Sequence, residues 1–100
     1  MSDKQVEFQS SFVKQRQKLT SSKQLTDIQI DDTLHLYIKN KNTRNLHKHK
    51  ITCKHDKCRI SIAVLNTGQK YKILLSDQAD RVVFIFIGSH KRYDRINKDC

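Results

Sequence analysis

The sequence predicts an α+β fold: one small domain spanning residues 1–100, in which an N-terminal helical hairpin packs on an antiparallel three-stranded meander in the order β-α-α-β-β-β. Three observations predict it. One hundred residues allow a single modest core, burying about 60–70% of the unfolded surface. The first half, to about Asn45, carries apolar residues at helical spacings, and the second half alternates or runs continuously apolar. Punctuation is sparse, with no Pro and two Gly, so no linker divides the chain.

Gln5–Phe8 reads as an opening strand that pairs within the same sheet. Ser10 or Ser11 is a candidate cap for a first helix carrying Phe12, Val13, Arg16 and Leu19, broken at Ser21–Ser22. A second helix is predicted from about Lys23 to Lys39, with Leu25, Ile28, Leu34, Tyr37 and Ile38 as its apolar positions. Cys58–Leu65 alternates, with Ile60, Ile62 and Val64 on one face and Arg59, Ser61 and Ala63 on the other. Asn66-Thr67-Gly68-Gln69 is a hairpin turn in which Gly68 is free to take positive φ. Lys70–Leu75 returns, Ser76–Asp80 turns again, and Arg81–Gly88 is apolar enough to be a central strand buried on both faces. The C-terminal SHKRYDRINKDC reads as a polar tail or a short last turn.

Charge narrows the function classes. Twenty Lys and Arg against ten Asp and Glu give a formal +10, which favours polyanions: nucleic acid, the ribosome, anionic lipid or an acidic partner protein. No apolar stretch of about 18 residues is present, so no membrane span is expected. The opening MSDKQVEFQSSF lacks the apolar run of a signal peptide, which predicts a cytoplasmic protein. Three cysteines, Cys53, Cys58 and Cys100, are an odd count that suits reduced thiols.

Three clusters carry candidate chemistry. At the exit of the apolar strand stand Gly88, Ser89, His90, Lys91, Arg92, Tyr93 and Asp94. A core-anchored strand end positions side chains rigidly. Histidine moves protons near neutral pH, tyrosine stacks on bases, and Arg or Lys stabilises a charged phosphoryl centre. The bland alternative is a solvated basic tail. A second cluster, His47, Lys48, His49 and Lys50, leads into Cys53, His55 and Cys58. It reads as a basic strip for RNA; its Cys/His spacing matches no standard zinc finger, so neither metal nor cofactor is expected. His35, inside the second helix, reads as structural or solvated. The third is Arg59 with Lys70 and Lys72 on adjacent strands, where cations on an open sheet face suit a phosphate backbone and an ordinary solvent face is the alternative.

The order of elements, with K-C-R-I-S-I at 57–62, G-Q-K-Y-K-I-L-L at 68–75 and V-V-F-I-F-I-G-S-H-K-R-Y-D-R-I at 82–96, resembles the RelE/ParE toxin superfamily, and within it HigB- and YafQ-like members. The resemblance covers roughly residues 5–97 and is strongest from Leu46 to Ile96. It implies the toxin of a type II toxin-antitoxin system, a ribosome-dependent endoribonuclease that cuts mRNA in the ribosomal A site by metal-independent acid-base catalysis. It also implies a cognate antitoxin partner, which the basic charge predicts to be acidic. By position, His90 matches the family's strand-exit histidine, Tyr93 or Asp94 the residue after it, and His47 or His49 the histidine before the sheet. Lys72 stands where the family usually has arginine, a departure because Lys lacks bidentate phosphate contacts; Arg59, one strand away, is a candidate to compensate. The catalytic candidates are therefore His90, Tyr93, Lys72, Arg59 and Asp94. The RNA-binding candidates are His47, Lys48, His49, Lys50, Lys70, Lys91 and Arg92. Two other readings stay open: a ParE-like inhibitor of DNA gyrase, and a ribosome- or nucleic-acid-binding module without catalysis.

Overall fold

A computed structural model describes residues 4–40 and 43–98. Its elements are β1 (Gln5–Phe8), α1 (Ser10–Ser21), α2 (Asp27–Lys39), a single 3-10 turn at Arg44–Leu46, β2 (His49–Lys50), β3 (Arg59–Ala63), β4 (Tyr71–Asp77), β5 (Arg81–Ser89) and α3 (His90–Lys98). The strands form one sheet in the order β1-β5-β4-β3-β2. The predicted meander β3-β4-β5 is its centre. The sheet is mixed rather than purely antiparallel, because β1 runs parallel to β5, with Gln5 opposite Arg81 and Phe8 opposite Phe84.

Helix α2 starts later than its pattern suggests. After α1 ends, Lys23 takes φ +61 and the backbone N–H groups of Gln24 and Leu25 both bond to the carbonyl of Leu19. Thr26 then caps α2 by accepting from the N–H of Gln29 at 3.1 Å. The C-terminal segment is a helix and not a tail. Tyr93 and Ile96, three apart, lie against Leu74 and Phe86 on the sheet, so the apolar stripe is thin but used.

The sheet is covered on both faces. On the helix side, Phe12, Leu19, Ile30, Leu34 and Tyr37 pack on Ile62, Ile73, Leu75, Phe84 and Ile87. On the α3 side, Leu74, Val83, Ile85, Phe86 and Tyr93 form a smaller cluster. A β-bulge sorts these residues. Leu74 pairs with Phe86 and Leu75 with Phe84, leaving Ile85 as the extra residue. That extra residue turns Phe86, and Gly88 after it, to the α3 side.

Among the described residues no helix is long and apolar enough to cross a membrane. Cys58 is a free thiol, whereas Cys53 is disulfide-bonded, against the expectation of reduced thiols throughout. Cys100 lies outside the described residues.

Candidate active site

The predicted strand exit sits at the β5–α3 junction. Lys72 on β4 pairs with Gly88 on β5, so both face the α3 side at one register position. A Cβ at Gly88 would meet the Phe86 ring at 2.7 Å, so any larger residue would have to displace that ring. The ladder ends where the N–H of His90 bonds to the carbonyl of Lys70 at 2.9 Å. That bond anchors the first residue of α3 to β4.

One turn of helix brings Asp94 beside His90, and Asp94 Oδ2 lies 3.1 Å from His90 Nδ1. Both side chains are exposed. Asp94 also acts electrostatically on Lys72. Lys72 as a whole residue is 4% exposed, and its Nζ donates to Gln69 Oε1 at 3.2 Å. Burial pulls the Lys72 ammonium below the ordinary lysine range, and the Asp94 carboxylate offsets part of that pull. His90, Asp94 and Lys72 thus share one corner of the sheet.

Tyr93 stands on α3 with the sheet beneath it. It is 4% exposed, its hydroxyl is buried without a partner, and its ring centroid lies 6.5 Å from that of His90. In this arrangement it seats α3 on the sheet.

Arg59 does not reach this corner. It pairs with Ser76, four positions along β4 from Lys72, which places the backbones roughly 14 Å apart at ordinary strand spacings. Its guanidinium already binds Asp56 Oδ2 at 3.1 Å. Burial by itself would raise the Asp56 carboxyl. Hydrogen bonds from the Cys58 N–H and the Ser76 hydroxyl, together with Arg59, outweigh it and hold Asp56 below the usual carboxylate value.

Of the basic strip, His49 and Lys50 form the edge strand β2. His49 pairs with Ser61 and so shares the sheet face of Lys72, roughly 12 Å away at ordinary strand spacings. Ser61 Oγ is buried there without a partner. His47, at φ +48, and Lys50 are exposed, and Lys48 is half-buried. Lys70, Lys91 and Arg92 are exposed around the strand exit, with Arg92 bonded to Gln15 at 3.0 Å. His35 is exposed on α2. No group of three or more His, Cys, Asp or Glu among the described residues is placed to hold a metal ion.

Hollows lie at both ends of β5. One of ≈ 360 Å³ opens on the α1 side of the strand exit and is lined by Gln15, Lys18, Ser22, Gln24, Ser89 and Arg92, among others. A wider one of ≈ 610 Å³ lies at β1 around the Glu7–Arg81 ion pair, remote from His90.

Residues that the sequence reading passed over are Gln69, Ser61 and Asp56. Gln69 was legible as a turn residue three positions before Lys72, but nothing local pointed to its contact. The other two acquire meaning from cross-strand register.

This arrangement, a helical hairpin on one face of a five-stranded sheet and a short helix on the other, is the fold of the RelE/YafQ-type toxins. A chain of the E. coli DinJ–YafQ toxin–antitoxin complex is similar at TM-score 0.74 and 14% identity, over 90% of this chain and 96% of that one. A copper-bound mutant toxin from Helicobacter pylori gives TM-score 0.68 and 17% identity, over 88% and 96%. A chain of the RelB–RelE antitoxin–toxin complex from Methanococcus jannaschii gives 0.50 and 25%, over 89% and 96%. No protein-family model and no characterised protein sequence matches this chain. At these identities the likeness is one of fold.

Proposed function

We propose that this chain is the toxin of a toxin-antitoxin pair and cleaves ribosome-bound mRNA in the cytoplasm, with His90 moving the proton and Lys72 stabilising charge at the phosphorus. The observation that carries the reading is the 3.1 Å contact of His90 with Asp94, whose carboxylate also acts on the buried Lys72 ammonium. The fold likeness and the +10 charge support it.

The chemistry needs no external nucleophile. The 2′-hydroxyl of one nucleotide attacks its own 3′-phosphorus, its proton passes to a base, and the bond to the next nucleotide's 5′-oxygen breaks as that oxygen takes a proton. The products are a 2′,3′-cyclic phosphate and a 5′-hydroxyl. His90 serves one of the two proton transfers. Asp94 accepts from Nδ1 and leaves Nε2 as the nitrogen that exchanges with RNA. Lys72 meets the negative charge that grows on the phosphoryl oxygens. Lys48, Lys50, Lys70, Lys91 and Arg92, with His47 and His49, hold the backbone on either side. Because the reaction is proton transfer plus charge stabilisation, a metal-bound hydroxide is not called for.

The similar structures include complexes of toxin with antitoxin. We assign this chain an acidic antitoxin, since its formal charge is +10. Growth arrest on induction should be relieved by co-expressing that antitoxin.

The test is His90→Ala. Cleavage of ribosome-bound message, mapped by primer extension, should fall about 100- to 10,000-fold. Melting should be unchanged, because His90 is exposed. A variant that cuts as fast as the parent would sink the assignment of His90. A parent chain that arrests growth with its messages intact, but blocks gyrase, would turn the reading to a ParE-like poison.

A further inference from the structure

A lysine mostly withdrawn from water needs a hydrogen-bond partner to stay charged. Lys72 is such a residue, at 4% exposure. The hydrogen bond made by its Nζ goes to the side chain of Gln69, at 3.2 Å. Gln69 is itself unusual. It lies in the tight turn Thr67–Lys70, closed by the N–H of Lys70 on the carbonyl of Thr67 at 3.1 Å. Both central residues take positive φ, +58 at Gly68 and +67 at Gln69. A turn with positive φ at both central residues favours Gly, Asn or Asp there. Gly68 meets that demand at no steric cost. A glutamine does not, and its extra carbons fill no core, since Gln69 is exposed.

Backbone strain held at an exposed turn calls for a reason in the side chain. Asparagine suits the backbone but is one carbon shorter. Glutamine, three positions before Lys72, spans the distance to Nζ.

We propose that Gln69 is a positioning residue: its amide oxygen, carried by a left-handed turn position, holds the Lys72 ammonium where it meets the scissile phosphate. The assignment rests on the nuclease reading of Lys72 given above. The Gln69 amide touches the Lys72 ammonium, whereas the Asp94 carboxylate on α3 acts on it through its charge. A neutral acceptor orients the ammonium without cancelling the charge that the phosphate needs.

The experiment combines the titration of Lys72, read by NMR of the 13C-labelled lysine in the RNA-free full chain, with cleavage of ribosome-bound message. An acceptor favours the charged ammonium, so the Lys72 midpoint should rise in the order Gln69→Met, parent, Gln69→Glu. Gln69→Gly relieves the turn and should melt no lower than the parent. Its kcat should nevertheless drop about 10- to 100-fold with KM little changed. A Lys72 midpoint that ignores residue 69 overturns the proposal. So does a Gln69→Gly chain that cuts at the parental rate. If the parent leaves message intact while the Lys72 midpoint still follows residue 69, the nuclease reading falls and the Gln69–Lys72 contact stands.

Discussion

The two faces of the sheet treat buried polar atoms differently. On the helix side they are paired. The hydroxyl of Tyr37 donates to Asp77 at 2.6 Å, Thr33 donates to the carbonyl of Gln29 and accepts from the N–H of Leu65, and Gln29 Nε2 donates to the carbonyl of Leu65. On the α3 side the hydroxyls of Ser61 and Tyr93 are buried and unpaired, and Lys72 is a shielded ammonium. Unpaired buried groups cost stability, so the α3 face is built at a disadvantage that the larger helix-side core offsets. The candidate site lies on the disadvantaged face. A sequence selected for stability alone would place apolar atoms there.

The largest effect that tests this contrast is Phe84→Ala. Phe84 is fully buried on the helix side, against Phe8, Phe12 and Tyr37. Its truncation should cost about 3–5 kcal/mol in denaturant unfolding. A loss near 1 kcal/mol would show that the helix-side core is not the main store of stability.

Two tyrosines sharpen the contrast further. Tyr37→Phe removes the phenol that donates to Asp77 Oδ2, while the Lys4 ammonium stays on Oδ1 at 2.6 Å, and should cost about 1–2 kcal/mol. Burial, then the Asp77 carboxylate it donates to, also hold the Tyr37 phenol well above its ordinary pKa. Tyr93→Phe removes a hydroxyl that has no partner, so stability should stay within about 0.5 kcal/mol or rise. Equal losses at the two positions would erase the distinction between the faces.

Lys72→Met should stabilise the chain by about 1 kcal/mol or more at neutral pH while removing cleavage. The pH dependence follows from the sign of the shift. Lys72 titrates lower when folded, so the folded chain sheds its proton first. The penalty is therefore complete below the folded midpoint and is relieved as pH rises toward the unfolded value. Measured against Lys72→Met, which shares every other titrating group, the parent should gain stability in that alkaline window.

The smallest effect concerns Asp56, the well-satisfied group on the α3 side. Its folded pKa lies below the unfolded one, so its contribution is present above the unfolded value and lost as pH falls through the folded value. At neutral pH Asp56→Asn should cost about 1 kcal/mol or less, given an ion pair whose partners keep 21% exposure. The difference between variant and parent should vanish in acid. A difference that persists at pH 2 would assign the cost to lost packing.

Local chemistry in the sequence determined the parts whose cause is local. Alternation in Arg59–Ala63, the turn at Gly68, the apolar run of β5 and the helical spacing of α1 are each legible within about ten residues. The cluster from Gly88 to Asp94 was legible for the same reason. The tertiary structure decided what depends on residues far apart in the chain. The parallel seat of β1 rests on pairing Gln5–Phe8 with Arg81–Phe84, and the bulge at Ile85 on its register with β4. Helix α3 has Tyr93 and Ile96 as its anchors, too few for periodicity to reveal until a sheet lies beneath them. The same holds for the charges: Lys72 and Arg59 look alike in sequence, yet one is buried beside Gln69 and Asp94 and the other is bound to Asp56. Burial and pairing are properties of the packed molecule, and they separate two cations that composition counts as equal.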